Sequence, residues 1–175
     1  ESIKLTADPD PDIEITTSAA EVAENQIVNL IESQFKGHEF TRLMAAVLKA
    51  KGYTIWQSPE GSDGGADILA SSGQMGFGED RICVEVKSGS EPTDRPTVDK
   101  LLGAMTKFNA EKGLFIAWGG FTRNVDRELS SSFFRLRRWS RREILDELYA
   151  CYDKLDDGIR AKLPLKRFWT IVHEE

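Results

Sequence analysis

The hydrophobic positions of the chain change period several times, from the three-to-four-residue spacing of amphipathic helices to the runs and alternation of strands. Apolar residues from Phe40 to Leu48 define the first helix of the compact part, and Gly52 is placed to end it. Leu114 to Trp118 is a continuous apolar run, typical of a strand buried on both faces. After the first helix, the predicted elements are strands at 53–57, 66–70 and 81–87, a helix at 96–109, a strand at 114–118, a helix from 123, a strand at 134–139 and a helix at 143–155.

Residues 134–139 are compatible with two structures, an extension of the preceding helix or a fifth strand, and we favour the strand. The order of elements is then α-β-β-β-α-β-α-β-α, which predicts an α/β fold with a mixed central β-sheet flanked by helices. We expect the last segment, 163–172, to pack back on the body of the domain. Four aromatic residues are expected in the core: Phe115, Trp118, Phe133 and Phe134.

The first 34 residues differ from the rest of the chain. Residues 1–17 are rich in Pro and Asp without sustained periodicity, which indicates a linker or tail, whereas 19–34 have the spacing of a helix that would serve as a spacer. We therefore expect an acidic linker with a spacer helix at 1–34 and one compact domain with a C-terminal extension at 35–175. Because the first residue is Glu1 rather than Met, we expect a domain of a longer protein.

Composition limits the class of protein. Of the 175 residues, 40% are hydrophobic, which is enough for one sizeable core. The sequence contains no apolar run of about 18 residues and no signal peptide, so we expect no membrane association. Cys83 and Cys151 lie far apart in apolar settings, which favours reduced thiols in an intracellular, cytoplasmic protein.

The net charge of −6 argues at first against a nucleic-acid partner, but the distribution of charge weakens that argument. Residues 1–34 contain eight acidic side chains and one basic side chain, which leaves a net charge of +1 on the remaining 141 residues. Within these, residues 121–142 hold seven arginines against two acidic residues. This arginine cluster fits equally a solvated surface or a contact with a DNA backbone.

Glu85 and Lys87 stand at the end of the predicted strand 81–87. Alternation along the strand places both on one face, with the apolar residues of the strand on the other face, in a core. Taken alone, such residues are most often a solvated pair on a half-exposed strand. Asp67 changes the interpretation, because the strands 66–70 and 81–87 are expected to be adjacent and antiparallel, which would place it beside Glu85.

Two converging carboxylates suit Mg²⁺, which takes oxygen ligands, commonly one or two carboxylates together with phosphate and water. Asp67 and Glu85 would bind the ion, with the Val86 carbonyl as a further ligand. Lys87 would orient or help to deprotonate an attacking water and offset charge in the transition state. Glu39, at the margin of the buried stripe of the first helix, would bind the metal through water or assist a second ion. Its alternative role is to stabilise the N-terminus of that helix.

With these residues in place, the chain resembles the PD-(D/E)xK nuclease superfamily and, more narrowly, the Mrr-like catalytic domain of type IV restriction endonucleases. The resemblance covers residues 36–140, with fainter similarity over 163–169. The four charged positions in order, with a Gly-rich turn before Asp67, form a fairly specific pattern. The matching segments are Gly37-His38-Glu39-Phe40, Gly52-Tyr53, Gly61-Ser62-Asp63-Gly64-Gly65-Ala66-Asp67-Ile68, Val84-Glu85-Val86-Lys87, Val98 with Leu101-Leu102-Gly103-Ala104, Lys112-Gly113-Leu114-Phe115, and Gly120-Phe121-Thr122.

The resemblance implies a restriction-endonuclease-like core that hydrolyses double-stranded DNA with Mg²⁺, for which Mn²⁺ is expected to substitute. It implies that Asp67 and Glu85 bind metal, that Lys87 is catalytic and that Glu39 is the helix acid. Many Mrr-like domains have Gln where this chain has Glu85, a departure toward the general nuclease pattern. Defence against foreign or modified DNA, a homodimer, and a separate recognition or regulatory domain in the full-length protein are further expectations from the resemblance.

Two other functions stay open on the sequence alone. One is a structure-selective nuclease on the same core, such as a junction resolvase. The other is a catalytically silent DNA-binding or assembly module whose carboxylates are remnants. Arg95, Arg123 and Arg127 are the candidates for contact with a DNA backbone. Five other polar residues are expected to have structural or surface roles: Asp63, Lys100, Lys107, His38 and His173.

Overall fold

The computed structural model of the protein describes residues 11–61 and 65–168. The expectations for Asp63 and His173, and for the end of the C-terminal segment beyond residue 168, lie outside the described residues. The chain divides into two compact units, Glu1–Gln34 and Phe35–Glu175.

The first unit contains one helix, α1 (Pro11–Gln34). This helix begins earlier than the spacing of apolar residues predicts, at Pro11 rather than near residue 19. Pro11 suits the first position of a helix, because its missing N–H would have no partner within the helix and its φ is already helical. Apolar periodicity cannot reveal a helical turn that carries no apolar stripe.

The second unit contains, among its described residues, five strands, five α-helices and two short 3-10 helices at Gln74–Gly76 and Tyr152–Lys154. Each strand predicted from the sequence is present, including the fifth, whereas the last short helix was not predicted. The elements are α2 (His38–Ala50), β1 (Thr54–Gln57), β2 (Ile68–Ser71), β3 (Arg81–Lys87), α3 (Arg95–Lys107), β4 (Lys112–Ala117), α4 (Arg123–Ser131), β5 (Leu136–Trp139), α5 (Arg141–Cys151) and α6 (Asp157–Lys162). No helix within 11–61 and 65–168 is long and apolar enough to cross a membrane.

The five strands form one sheet in the order β1-β2-β3-β4-β5. β1, β2 and β3 are antiparallel neighbours, and the pairing of Ile68 with Val84 sets the register between β2 and β3. β3, β4 and β5 are parallel, joined by α3 and α4 as crossover helices. The predicted α/β fold with a mixed sheet flanked by helices is therefore confirmed.

Both faces of the sheet are covered where β3 and β4 run side by side. On one face, Cys83 and Phe115 are fully buried in a cluster with apolar residues of α3 and α4. On the other face, Val84 and Ile116 are fully buried on the side where α2 and α5 pack. A strand that alternates between two covered faces reads as a continuous apolar run, which explains the pattern of β4.

The aromatic residues divide into two groups. Phe115 and Trp118 are buried as predicted, but Phe133 and Phe134 are 54% and 91% exposed, so their prediction as core residues is wrong. Both lie in the turn between α4 and β5, where the Arg135 N–H donates to the Ser132 carbonyl, and β5 begins only after this turn. The alternation of buried and exposed side chains along β5 therefore does not extend back to Phe133 and Phe134.

The C-terminal segment packs back on the domain at its beginning, as predicted, but Phe168 further along it is 70% exposed, so the prediction is wrong at that residue. Leu163 is fully buried. The Tyr152 hydroxyl donates to the Leu163 carbonyl (2.7 Å) and accepts from the Leu165 N–H (2.8 Å), so a side chain at the end of α5 fixes the chain after α6. These bonds satisfy the Leu163 carbonyl and the Leu165 N–H, which lie beyond the end of α6.

The two cysteines give a direct test of this core. Both are free thiols, fully buried or nearly so. Burial, reinforced by nearby negative charge, raises the pKa of Cys83 to about 11, and burial also raises the pKa of Cys151. Since only the thiolate reacts, we expect neither to be labelled by a disulfide reagent in the native protein at mildly alkaline pH. Both should react at once in concentrated guanidinium chloride. Rapid labelling of either thiol in native buffer would contradict the packing described.

Candidate active site

The carboxyl end of β3 carries two charged side chains on one face of the sheet. Glu85 and Lys87 follow Cys83 on the face that α3 covers, as alternation along the strand requires. The Lys87 ammonium lies 2.7 Å from a carboxylate oxygen of Glu85. The side chain of Glu85 is only 12% exposed, whereas that of Lys87 is 46% exposed. The Glu85 carboxylate is therefore largely buried, whereas the Lys87 ammonium faces solvent.

Asp67 is held beside this pair by the end of the strand ladder. Its N–H donates to the Val84 carbonyl (3.0 Å), and its carbonyl accepts from the Ser58 N–H (2.9 Å). The Val86 N–H donates to the Oδ2 atom of Asp67 at 2.7 Å. A side-chain oxygen thus occupies the place of a main-chain acceptor at the end of the antiparallel ladder. The predicted convergence of Asp67 on the end of β3 is present in the structure.

The electrostatics of Glu85 reflect these neighbours. Burial of the side chain raises the pKa of Glu85, and the negative charge of Asp67 raises it further, while the hydrogen bond from Lys87 opposes both. Desolvation and a like charge disfavour the same ionised form. The two carboxylates therefore occupy a region that a cation would stabilise.

Glu39 lies elsewhere. Its carboxylate binds the ammonium of Lys162 (2.6 Å) and the guanidinium of Arg42 (2.8 Å). The hydrogen bonds from Lys162 and Arg42 lower the pKa of Glu39. Within residues 11–61 and 65–168, no group of three or more His, Cys, Asp or Glu side chains is placed to hold a metal ion. The structure brings Asp67, Glu85 and Lys87 together and does not bring Glu39 to them, so the catalytic role of Glu39 stays a prediction.

The three arginines predicted to contact DNA lie on two helices, with Arg95 and Arg123 at the helix starts and Arg127 one turn into α4. Arg95 is the first residue of α3, is 63% exposed and lies 3.7 Å from Asp99. Arg123 and Arg127 are exposed on α4. A parallel bridge between Thr93 and Phe121 joins the loops that precede these helices.

The rest of the arginine cluster is partly engaged in structural contacts. Three guanidinium groups lie over aromatic rings, with centroid distances of 3.6, 4.9 and 5.8 Å. Such contacts are attractive and fix the side chain against the surface. The pairs are Arg137 with Phe133, Arg141 with Trp118, and Arg138 with Phe121.

The loop after Lys87 is tightly fixed. The Ser88 hydroxyl accepts from the Gly37 N–H (3.1 Å), which ties the loop to the start of α2. Thr93 donates its N–H to Gly120 (2.9 Å), and a Cβ at Gly119 would lie 2.5 Å from the carbonyl oxygens of Ser90 and Glu91. Only a glycine permits that approach, because any side chain there would displace main-chain atoms.

Two residues near the site were missed by sequence reasoning. Ser58, which follows β1 and pairs with Asp67, has a buried hydroxyl without a hydrogen-bond partner among the described residues. Lys100 of α3 acts electrostatically on Glu85, although its helical position indicates only a polar surface. Strand pairing would have identified Ser58 as the neighbour of Asp67, but only the placement of α3 relates Lys100 to Glu85.

The donor set fits a divalent cation. Asp67 and Glu85 offer carboxylate oxygens, and Mg²⁺-like ions commonly bind one or two carboxylates and complete their shell with water and phosphate. The unpartnered hydroxyl of Ser58 is of the kind that ordered water satisfies. No thiolate takes part, because Cys83 is a buried thiol with a raised pKa.

Comparison with known proteins gives two findings. A family model described as a restriction endonuclease, Mrr_cat, matches residues 31–148. The fold is similar to that of the MspJI restriction endonuclease solved in complex with a 27-mer oligonucleotide, with a TM-score of 0.57 and 14% sequence identity. This match covers 82% of the present chain and 36% of the MspJI chain, so the chain spans about a third of that protein. No curated protein matches the chain by sequence.

The family match covers more than half of the chain and includes the whole of the site at the end of β3. It confirms the predicted resemblance, and a restriction endonuclease family implies a nuclease with a divalent metal cofactor. The MspJI similarity independently supports the fold. The chain belongs to the Mrr_cat restriction endonuclease family.

Proposed function

We propose that this chain hydrolyses phosphodiester bonds of double-stranded DNA with Mg²⁺, at a site formed by Asp67, Glu85 and Lys87. The observation that carries the proposal is the convergence of these side chains at the carboxyl end of β3, with the Lys87–Glu85 ion pair at 2.7 Å and Asp67 bound to the adjacent main chain. The oligonucleotide in the MspJI complex supports a nucleic acid substrate, and the restriction endonuclease family supports DNA.

Asp67 and Glu85 are the proposed metal ligands. The carbonyl of Val86 is a third candidate, because the Val86 N–H is directed at Asp67 and the N–H and C=O of one strand residue point toward the same edge. A bound divalent ion supplies Lewis acidity, which polarises the phosphate and lowers the pKa of a bound water. Mn²⁺ has a similar preference for oxygen ligands and is proposed as a substitute.

Lys87 is the proposed catalytic cation. Its exposed ammonium is held by Glu85 at the mouth of the site, where it would orient an attacking water and stabilise negative charge developing on the phosphate. The contacts of Glu39 with Lys162 and Arg42 give its catalytic role no support. We propose instead that Glu39 positions the first turn of α2.

Arg95, Arg123 and Arg127 are proposed to bind the DNA backbone. The carboxyl ends of parallel strands lie at the same edge of a sheet, and α3 and α4 both begin there. The bridge between Thr93 and Phe121 stands two residues before each of Arg95 and Arg123, which supports a shared cationic surface beside the site. Guanidinium groups suit phosphate contacts of this kind.

The whole protein is proposed to act in the cytoplasm against foreign or modified DNA. Free buried thiols and the family support this assignment. Residues 35–175 would be the nuclease domain, and 1–34 a linker with a spacer helix. Because the chain spans only 36% of the MspJI chain, we also propose a separate recognition or regulatory domain. Assembly as a homodimer is proposed from the family resemblance alone.

Plasmid nicking tests the site. With Mg²⁺ or Mn²⁺, we expect the purified chain to nick or linearise supercoiled plasmid, and chelation of the metal to abolish cleavage. Asp67→Ala and Lys87→Ala should each lower the initial rate by about 100-fold or more, because each removes a group that acts on the reacting phosphate. The matched control is Lys112→Ala, which removes a lysine paired with Asp80 at the opposite end of β3 and should leave the rate unchanged.

Unaltered cleavage in both site variants would refute the assignment of the site. Preference for a four-way junction over linear duplex would support a resolvase instead. Absence of cleavage by the wild type, together with calorimetric absence of Mg²⁺ and Mn²⁺ binding, would support a silent binding module.

Salt dependence tests the arginines. A protein that contacts phosphates releases counterions, so the logarithm of the binding constant falls linearly with the logarithm of the salt concentration. We expect Arg95→Ala and Arg123→Ala each to reduce this slope by about one for a short duplex without metal. Arg141→Ala, which removes a guanidinium stacked on Trp118, is the control and should leave the slope unchanged. Equal slopes in all variants would exclude the proposed surface.

A further inference from the structure

A second lysine beside the candidate site takes no part in the mechanism described above. Lys100 lies on α3, the helix that covers the Glu85 face of the sheet. Its side chain is exposed, and within 11–61 and 65–168 its ammonium forms no ion pair. Its neighbour Asp99 lies instead 3.7 Å from Arg95. An ammonium that no carboxylate neutralises is available to an anionic ligand.

The rotation of α3 turns Lys100 toward the segment that carries Asp67. Residues four apart lie on the same flank of a helix, so Lys100 shares its flank with Ala104. A Cβ at Gly65 would lie 3.9 Å from the Cβ of Ala104, and Ala66 belongs to the same buried cluster. The flank of α3 that holds Lys100 therefore borders Gly65 and Ala66, which directly precede Asp67.

The direction of α3 determines the level of Lys100, that is, how far along the strands of the sheet it lies. Because α3 joins the parallel strands β3 and β4, it runs back from the carboxyl end of β3 toward the start of β4. Lys100 precedes Ala104 by one turn and so lies closer to the carboxyl end of β3. Flank and level together place Lys100 beside the segment that carries Asp67.

We propose that Lys100 binds a phosphate of the DNA strand that enters the site. This inference rests on the proposed nuclease function and deepens it. A phosphodiester that approaches Asp67 and Glu85 meets two negative charges, of which Lys87 already neutralises one. Lys100 supplies a positive charge on the adjacent wall, contributed by a helix rather than by the strand that carries the metal ligands. It is a substrate-binding residue and leaves the chemical step to Lys87.

The test compares Lys100→Ala, Lys100→Arg and Lys107→Ala with the wild-type chain. Lys107 is an exposed lysine of the same helix that lies over the ring of Phe108, so it controls for loss of one positive charge. Two measurements are made: plasmid nicking as a function of DNA concentration, and metal-free binding of a short fluorescent duplex over a range of salt. Circular dichroism melting verifies that each variant is folded.

We expect Lys100→Ala to raise KM and the metal-free Kd by about 5- to 10-fold with little change in kcat, and to reduce the salt slope by about one. Lys100→Arg should restore most of the affinity, because arginine keeps the positive charge. Lys107→Ala should match the wild type in both measurements.

Several outcomes would overturn the inference. An unchanged Kd and salt slope in Lys100→Ala would exclude phosphate binding, even if kcat fell, because Lys100 would then act only through Glu85. An equal effect of Lys107→Ala would show that the change in affinity reflects only the loss of one positive charge and not a specific contact of Lys100. Asp67→Ala in the same assay separates this failure from that of the proposed function. If Asp67→Ala stops cleavage while Lys100→Ala binds normally, the nuclease assignment stands and only the Lys100 inference fails.

Discussion

The hydrogen bond from the Val86 N–H to the carboxylate of Asp67 connects the sheet to its site. In a regular antiparallel ladder, that N–H would donate to a main-chain carbonyl of β2. Here the ladder ends with the pair of Ile68 and Val84, and the side chain of Asp67 becomes the next acceptor. The position of one carboxylate therefore depends on the register of two strands. A slip by one residue would turn the side chains of β2 to the opposite face and remove Asp67 from Glu85.

In the same arrangement, opposing effects act on the ionisation of Glu85. Its carboxylate stands on a strand whose neighbours Val84 and Val86 are buried, and burial disfavours its charge. Asp67 makes ionisation still less favourable, and Lys87 offsets only part of the cost. A sheet that evolved for stability alone would place an apolar residue at this position. The retained pair of carboxylates is understood most simply as a site whose free energy falls when a cation binds.

Sequence reasoning succeeded where the period of the hydrophobic pattern alone determined the local structure. Alternation along 81–87 and the expected antiparallel pairing were sufficient to bring Glu85, Lys87 and Asp67 together, because strand geometry leaves few alternatives. It could not anticipate contacts that depend on long-range packing. The acid of α2, Glu39, binds Lys162 on α6, a helix that the pattern did not predict, and its catalytic role stays a prediction. Two exposed phenylalanines were predicted to lie in the core, because the turn before β5 cannot be recognised from apolar spacing. The proximity of Lys100 to the site depends on the placement of α3, which the sequence pattern does not give.

The charged groups around the site also limit what this domain can recognise. Arg95, Arg123 and Lys100 are proposed to bind phosphates, and phosphate contacts position a duplex without carrying sequence information. The loops that precede their helices are fixed by main-chain bonds between Thr93 and the segment 120–122, so little rearrangement of this framework is available for reading bases. If the cations act as proposed, selectivity for a sequence or a modified base must be supplied from outside this end of the sheet. The catalytic domain would then cleave whatever duplex a recognition domain delivers, and control of cleavage would lie in that delivery.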